Sequence, residues 1–229
     1  VLVDLEYTAV ELPIRESDGW LSPSAVHADP DKAFHACRNT HRLDIAALDI
    51  DIEASGDLYY AQFAACCKLA KAIKLVTLVV PSSELGTPFN EEIERLKKMV
   101  AMASLEGAVV AMKTTSGAMS QDPDTAAVIC DNVPGLGLAL DPSHYIAGPH
   151  KGRDYDKVIK YVRHVHLRDS TKEEMHVRIG QGEIDYGRLM TQLAKEKYNR
   201  ALSVHMPAIE GYDHEGEMRK MRLLLESLL

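Results

Sequence analysis

Short apolar runs alternate with amphipathic stretches along the whole chain. The apolar runs end in Pro, Gly or charged residues, a pattern typical of buried strands in a parallel sheet. We predict strands at residues 7–12, 43–52, 75–80, 108–114, 136–140, 162–167 and 201–206. Apolar positions three and four residues apart predict helices at residues 31–41, 58–74, 90–105, 185–197 and 215–229, with another starting at residue 122. We expect Asn90, Asp122 and Asp185 to cap their helices and residues 15–30 to form a long loop. Regular alternation of strand and helix indicates a parallel α/β protein with one domain over residues 1–229.

The two faces of these strands differ in polarity. His164 and His166 share one face of the sixth strand with Arg168, whereas Val165 and Leu167 point the other way. Polar groups therefore collect at the carboxyl ends of strands that lie far apart in the sequence. Periodicity alone does not separate a barrel from an open sheet, but an open sheet collects its ligands near one switch point. The spread of polar strand ends favours a β/α barrel, whose chemistry lies at that end.

Composition narrows the range of functions. The net charge of −8, without clustered Lys and Arg, argues against a nucleic-acid partner. The chain has four cysteines, Cys37, Cys66, Cys67 and Cys130. Because they show no CxxC spacing, we expect buried free thiols and a reducing compartment. No apolar run reaches the roughly 18 residues of a membrane span and no signal peptide is visible, so we expect a cytoplasmic protein without a membrane partner.

Three motifs stand at or after the ends of the later strands: Asp141-Pro-Ser-His144, His164-Val-His166 and Arg178-Ile-Gly-Gln-Gly-Glu-Ile-Asp-Tyr186. Together with Tyr7-Thr-Ala-Val-Glu11-Leu, they resemble the xylose isomerase-like TIM-barrel family of sugar isomerases and epimerases. The resemblance covers most of the chain and implies a (β/α)8 TIM barrel. The 229 residues are slightly fewer than the roughly 250 of a typical barrel. Since the family pattern has one more strand before residues 1–6, we expect the first strand to be lacking or truncated.

The resemblance also implies a divalent metal held by Glu, Asp, His and Glu on the fifth to eighth strands. The two glutamates of that set move a proton next to a sugar carbonyl. Asp141 and His166 match the aspartate and the histidine, whereas Lys113 and His205 stand where the glutamates are expected. We predict that Asp141, His166 and His205 bind the metal, a set that suits Zn²⁺, Mn²⁺ or Fe²⁺. We also predict catalytic roles for Lys113 and His205.

Three further residues are predicted to contact the substrate. By the family match, His144 would bind a substrate hydroxyl and Arg178 a sugar oxygen or a phosphate. Glu11 lies on the inward face of the first strand by alternation. A loop histidine and a plain surface arginine are the alternatives for His144 and Arg178.

Other motif residues also have purely structural interpretations. Asp141 precedes a proline, so a turn residue is the less favoured alternative for it, and a hydrogen-bonded core histidine is the less favoured alternative for His166. We favour Gly180 and Gly182 as turn formers rather than a phosphate cradle, because no strand-to-helix dinucleotide context surrounds them.

Lys113 has an alternative role that we favour over catalysis, namely an ion pair. A lysine ammonium does not ligate a metal unless it is deprotonated. Asp141 and Glu11 are the first candidates for its partner. Asp49 and Asp51 also point inward by alternation, and either is able to neutralise Lys113.

Three functions follow from these predictions. The first is an isomerase or epimerase acting on a sugar-like small molecule with an altered acid/base set. The second is a barrel that binds a carbohydrate without proton transfer, and the third is a metal-dependent lyase, hydrolase or nuclease. The acidic charge disfavours a nuclease, and a homo-oligomer is an open possibility.

Overall fold

The computed structural model describes residues 1–40 and 42–229. Within these residues, seven strands form one parallel sheet: β1 (Ala9–Ile14), β2 (Asp44–Ile50), β3 (Thr77–Val80), β4 (Val109–Lys113), β5 (Gly137–Leu140), β6 (Val162–Leu167) and β7 (Leu202–Val204). The helices are α1 (Pro23–Ala28), α2 (Pro30–Cys37), α3 (Gly56–Ala72), α4 (Phe89–Leu105), α5 (Pro123–Asn132), α6 (Ser143–Ile146), α7 (Tyr186–Lys195) and α8 (His214–Glu226). Short 3-10 turns lie at Met119–Gln121 and Asp156–Tyr161.

The sheet is a nearly closed barrel with the helices outside it. Each strand pairs with the next one in the chain, and all these pairings are parallel. In the part of the chain that the structure describes, no ladder joins β7 to β1, so these strands flank a gap in the wall. The seven predicted strands are all present, with ends shifted by a few residues. The prediction of a TIM barrel is confirmed.

Strand β1 continues past Pro13, where the sequence predicted its end. Proline lacks an N–H for a sheet ladder, and strands with a free edge tolerate it. The Pro13 carbonyl accepts the N–H of Trp20 at 2.7 Å, so the following segment folds back beside the strand. That segment, predicted as a long loop over residues 15–30, contains α1, which begins after the capping side chain of Ser22.

Two of the three predicted helix caps agree with the observed helix starts. The predicted caps Asp122 and Asp185 are confirmed, because each carboxylate accepts an N–H from the first turn of its helix. The predicted cap Asn90 is wrong, since α4 already begins at the preceding residue without a side-chain cap. Helix α2 ends at Cys37, and residue 41, where the sequence predicted its end, lies outside the described residues.

The main core lies between the outer face of the barrel and the helices. Its fully buried large side chains include Phe63, Leu78, Leu96, Met112 and Ile129. The barrel interior holds a separate buried layer of small residues, Ala47, Val79, Ala111 and Ala139. Because these side chains are small, the interior leaves room for polar groups of β1 and β6 beside them.

The four cysteines are buried free thiols, as predicted. Burial raises the pKa values of the Cys66 and Cys130 thiols, so these groups are protonated at neutral pH. Among the described residues, none of the helices has the length and apolar character that a membrane crossing requires.

Candidate active site

Polar side chains meet at the carboxyl end of the barrel. Four predicted site residues stand there, one on or just after each of strands β4 to β7: Lys113, Asp141, His166 and His205. Parallel pairing in register brings these strand ends to one edge of the sheet. The side chains are therefore positioned by strands and the first residues after them, rather than by long loops.

Arg168 connects three of these strand ends. Its Nε and Nη2 donate to Oδ2 of Asp141 at 3.0 and 2.6 Å. Nη2 also lies 3.2 Å from Nδ1 of His205. The other carboxylate oxygen of Asp141 accepts the N–H of Ser143 at 3.0 Å. Asp141 is therefore buried and bound by the protein at both of its oxygens.

Lys113 forms an ion pair with Asp49, a residue of β2. Its Nζ lies 2.9 Å from Oδ2 of Asp49, and Arg15 donates to the same oxygen. Oδ1 of Asp49 is buried without a hydrogen-bond partner among the described residues. The ion pair favoured for Lys113 is thus present. Its partner is Asp49, one of the two aspartates that alternation had placed inside, rather than Asp141 or Glu11.

A carboxylate–histidine cluster lies inside the barrel between β1 and β6. Nε2 of His164 is 2.9 Å from Oε2 of Glu11. Nε2 of His166 is 2.9 Å from both carboxylate oxygens of Glu11. The hydroxyl of Ser203 donates to Oε2 at 2.7 Å. Three strands thus supply this carboxylate and the three polar side chains that contact it.

Burial and neighbouring charge shift the pKa values of this region. Burial raises the pKa of Glu11, but the neighbouring histidines outweigh it and lower that pKa well below its usual value. Burial lowers the pKa of His205 to about 4, assisted by His166 and Arg168. Burial also lowers the pKa of His144. At neutral pH, Glu11 is therefore a carboxylate, and His205 and His144 are neutral imidazoles.

The predicted substrate-binding residues take different positions. Nδ1 of His144 accepts the N–H of Ser116 at 3.0 Å, and its Nε2 lies 3.7 Å from Asp141. His144 therefore belongs to the polar group at the strand ends. Arg178 instead donates to Glu217 of α8 at 3.3 Å, and about a third of its side chain is exposed. Its contact with substrate oxygens stays a prediction.

The Gly-x-Gly turn binds a carboxylate of the protein itself. The N–H groups of Gly180 and Gly182 donate to Oδ2 of Asp169 at 2.8 and 3.0 Å. A Cβ at Gly182 would lie 1.9 Å from Oδ1 of the same residue. Because these N–H groups are used within the protein, the turn-forming interpretation fits better than a phosphate cradle.

A protein cation lies among the metal ligands predicted from the sequence. The Arg168 guanidinium stands between Asp141 and His205, and a cation there repels a second cation. The role of Asp141, His166 and His205 as metal ligands stays a prediction. In the carboxylate–histidine cluster, one nitrogen or oxygen atom from each of Glu11, His164 and His166 lies within 4.8 Å of the others.

Sequence reasoning assigned no role to Arg168, His164 or Ser203. Strand alternation did give the relevant signal for two of them, since it placed His164 and Arg168 on the same face as His166. The contact of His164 with Glu11 joins residues 153 positions apart in the chain. Such a contact follows from how the barrel closes, which a periodic pattern does not describe.

A cleft of about 450 Å³ opens in the gap between β1 and β7. Its walls include Glu11, Asp49, Ser203 and His205. This volume lies within the range of small-molecule sites, roughly 300–1,000 Å³. The cleft therefore offers a small polar molecule a route from the surface to Glu11 and His205.

Comparisons with known proteins agree with this architecture. The sequence profile described as xylose isomerase-like TIM barrel matches residues 1–228. A search of curated proteins found no significant match.

Solved structures share the fold at low identity. A xylose isomerase-like TIM barrel protein from Mycobacterium smegmatis in complex with magnesium is 16% identical, with a TM-score of 0.75, and the match covers 100% of this chain and 87% of that one. The IOLI protein with a bound zinc atom is 18% identical, with a TM-score of 0.73, over 100% and 92% of the two chains. The 3-keto-D-glucoside 4-epimerase YcjR from E. coli is 12% identical, with a TM-score of 0.71, over 98% and 91%. Because the profile spans nearly the whole sequence, the chain belongs to the xylose isomerase-like TIM barrel family.

Proposed function

We propose that this protein is an isomerase or epimerase that moves a proton next to the carbonyl group of a sugar or sugar-like substrate. The observation that carries the proposal is the position of His205 at the carboxyl end of the barrel, with its Nδ1 3.2 Å from Nη2 of the cationic Arg168. A neutral base takes up a proton, and a nearby cation stabilises the negative charge that forms on oxygen. The epimerase named above shares this fold, which supports the class of substrate.

In the proposed step, His205 removes the proton from the carbon next to the carbonyl group. The electron pair of the broken C–H bond forms an enediolate, whose oxygen is stabilised by Arg168 and Lys113. Protonation of the same carbon from the opposite face by water, while His205 releases its proton to solvent, gives the epimer. Delivery of the proton from His205 to the former carbonyl carbon, while the hydroxyl proton passes to the former carbonyl oxygen, gives the isomer. Each proton removed is replaced, so the step needs no reactant beyond water.

The remaining predicted residues act on substrate binding in this proposal. His144 lies beside Asp141 with its Nε2 directed toward the same polar group, which suits contact with a substrate hydroxyl. Glu11 and Ser203 line the cleft between β1 and β7 and offer polar contacts deeper inside. The ammonium group of Lys113 is held by Asp49, so it acts as a fixed positive charge.

The test is proton exchange with solvent. The protein is incubated with a panel of ketohexoses in deuterium oxide, and proton NMR follows loss of the signal next to the carbonyl and growth of new sugar signals. We expect His205→Ala to slow exchange by about 10²–10⁴-fold, the usual contribution of a general base. Lys113→Met should slow it by more than about tenfold. His35→Ala, which removes an exposed histidine on α2, should leave the rate unchanged.

One observation favours a second function, a barrel that binds a carbohydrate without proton transfer. Lys113 and Arg168 are both engaged in ion pairs with buried aspartates. If Lys113 and Arg168 only neutralise these aspartates, saturation-transfer NMR would show that ketohexoses bind. The wild-type protein would nevertheless catalyse no exchange of sugar protons with solvent. That result would remove the enzymatic proposal and leave the binding one.

A further inference from the structure

The carboxylate–histidine cluster is built on strands rather than on loops. Glu11 lies within β1, and His164 and His166 lie two residues apart within β6. Residues two apart on a strand point the same way, with Cα atoms about 7 Å apart, so two imidazoles reach one point between them. The geometry of the three side chains is therefore fixed by two strands, β1 and β6.

The donor chemistry of the cluster is that of a transition-metal site. One atom from each of Glu11, His164 and His166 lies within 4.8 Å of the others. Two imidazole nitrogens and one carboxylate oxygen form the donor set of many catalytic zinc sites, which keep a fourth position open. The two histidines are almost fully buried, at 1% and 2% exposure, so bulk water does not compete for their nitrogens.

The surroundings supply two other features of a metal site, a partner that orients a ligating group and an entry path for the ion. Ser203 donates its hydroxyl to Oε2 of Glu11 at 2.7 Å and thereby orients the carboxylate, as partners of ligating groups do. The cleft between β1 and β7 reaches Glu11 and Ser203 and gives an entry path for an ion. Unlike Asp141, whose carboxylate is held by Arg168, Glu11 makes no ion pair with Lys or Arg among the described residues.

We propose that Glu11, His164 and His166 bind one divalent transition-metal ion, with zinc as the ion that this donor set prefers, inside the barrel wall beside the β1–β7 gap. Glu11 would connect the ion to the cleft, because its side chain lines the cleft as well. This site differs from the set predicted from the sequence, with which it shares His166. It stands independently of the proposed proton transfer, because metal binding is measured without substrate.

The test measures zinc binding by the wild-type chain. The protein is first treated with a chelator, and the chelator is then removed. Isothermal titration with zinc chloride should show one site, and His164→Ala and Glu11→Gln should each weaken it by more than about 100-fold, since partners of ligands alone contribute 10–100-fold. Asp141→Asn, which changes the predicted set only, should change the affinity by less than about threefold. His35→Ala controls for zinc on exposed histidines.

A second measurement uses only the wild-type protein, so it does not depend on whether the variants fold. X-ray absorption of the wild-type zinc complex should show two imidazole ligands and no sulfur. Absence of stoichiometric zinc binding by the wild-type chain would overturn the proposal. Binding lost in Asp141→Asn but kept in His164→Ala would also overturn it and would return the ion to the set predicted from the sequence.

Discussion

Buried carboxylates in this protein are matched by cations or by N–H groups. The clearest cases are Asp49, Glu92, Asp141 and Asp169. A buried ion pair contributes little compared with an apolar pair of the same shape, but loss of one partner is costly because the other charge stays buried. At the residue scale, these pairs should therefore respond strongly to single substitutions.

Glu92 on α4 shows the most complete pairing. Its side chain is fully buried, and its oxygens accept from Nε and Nη2 of Arg95 at 2.7 and 2.9 Å. The N–H and hydroxyl of Ser83 donate to it at 3.1 and 2.6 Å. Burial raises the pKa of Glu92, but Arg95 and Ser83 outweigh it and lower that pKa below its usual value.

Glu92→Gln should destabilise the fold at pH 7 by about 3–5 kcal/mol, because Arg95 then stays buried without its counter-charge. A lowered folded-state pKa means that Glu92 contributes stability above the unfolded pKa, roughly 4.3, and loses it as pH falls through the folded value. The difference between wild type and variant should therefore shrink between pH 7 and acidic pH. Urea denaturation at several pH values measures it.

The matched control is Glu94→Gln on the same helix. Glu94 pairs with Lys97 at 3.1 Å, but 74% of its side chain is exposed. Exposed pairs contribute about 0–1 kcal/mol, so this variant should be close to wild type at every pH. Equal losses from the two variants, or a Glu92→Gln effect that does not depend on pH, would contradict the burial argument.

At the scale of elements, the sequence predicted the seven strands and their inward faces well. Alternation placed Glu11, Asp49 and His166 inside the barrel, where they lie. It did not predict which inward residues pair, because Lys113 reaches Asp49 on a strand two positions away in the sheet. It also missed the start of α4, since Asn90 resembles a cap although the helix begins after Pro88.

The turn after β6 depends on the close approach of Gly182 to the side chain of Asp169. A Cβ at Gly182 would lie 1.9 Å from Oδ1 of Asp169 and 2.8 Å from the nitrogen of Ser170. Gly182→Ala must therefore displace a buried carboxylate, and we expect a loss of about 1–3 kcal/mol, as for other overpacked sites.

Thermal and urea denaturation measure this loss. The control is Gly187→Ala in α7, where the nearest atom to a new Cβ is 3.5 Å away. Alanine suits a helix better than glycine, so this control should be neutral or stabilising by up to about 1 kcal/mol. A Gly182→Ala variant as stable as Gly187→Ala would show that the turn rearranges freely.

At the scale of the whole molecule, the gap between β1 and β7 distinguishes this barrel from a closed one. Strand β7 spans Leu202–Val204 and pairs with β6 alone among the described strands. Strand β4, by contrast, pairs with β3 on one side and β5 on the other. Both the carboxylate–histidine cluster and the cleft lie at this gap, so the stability of its edges affects every proposal made above.

Native-state hydrogen exchange should therefore be faster in β7 than in β4. Opening an edge strand breaks one ladder, whereas opening β4 breaks two and exposes core residues such as Met112. We expect amide protection in β7 to be lower than in β4 by at least about tenfold, or about 1.4 kcal/mol of opening free energy. Mass spectrometry of peptic fragments at neutral pH measures both strands in one experiment. Equal protection at high protein concentration that falls on dilution would mean that a second copy of the chain covers the gap. Equal protection at all concentrations would contradict an open edge at β7.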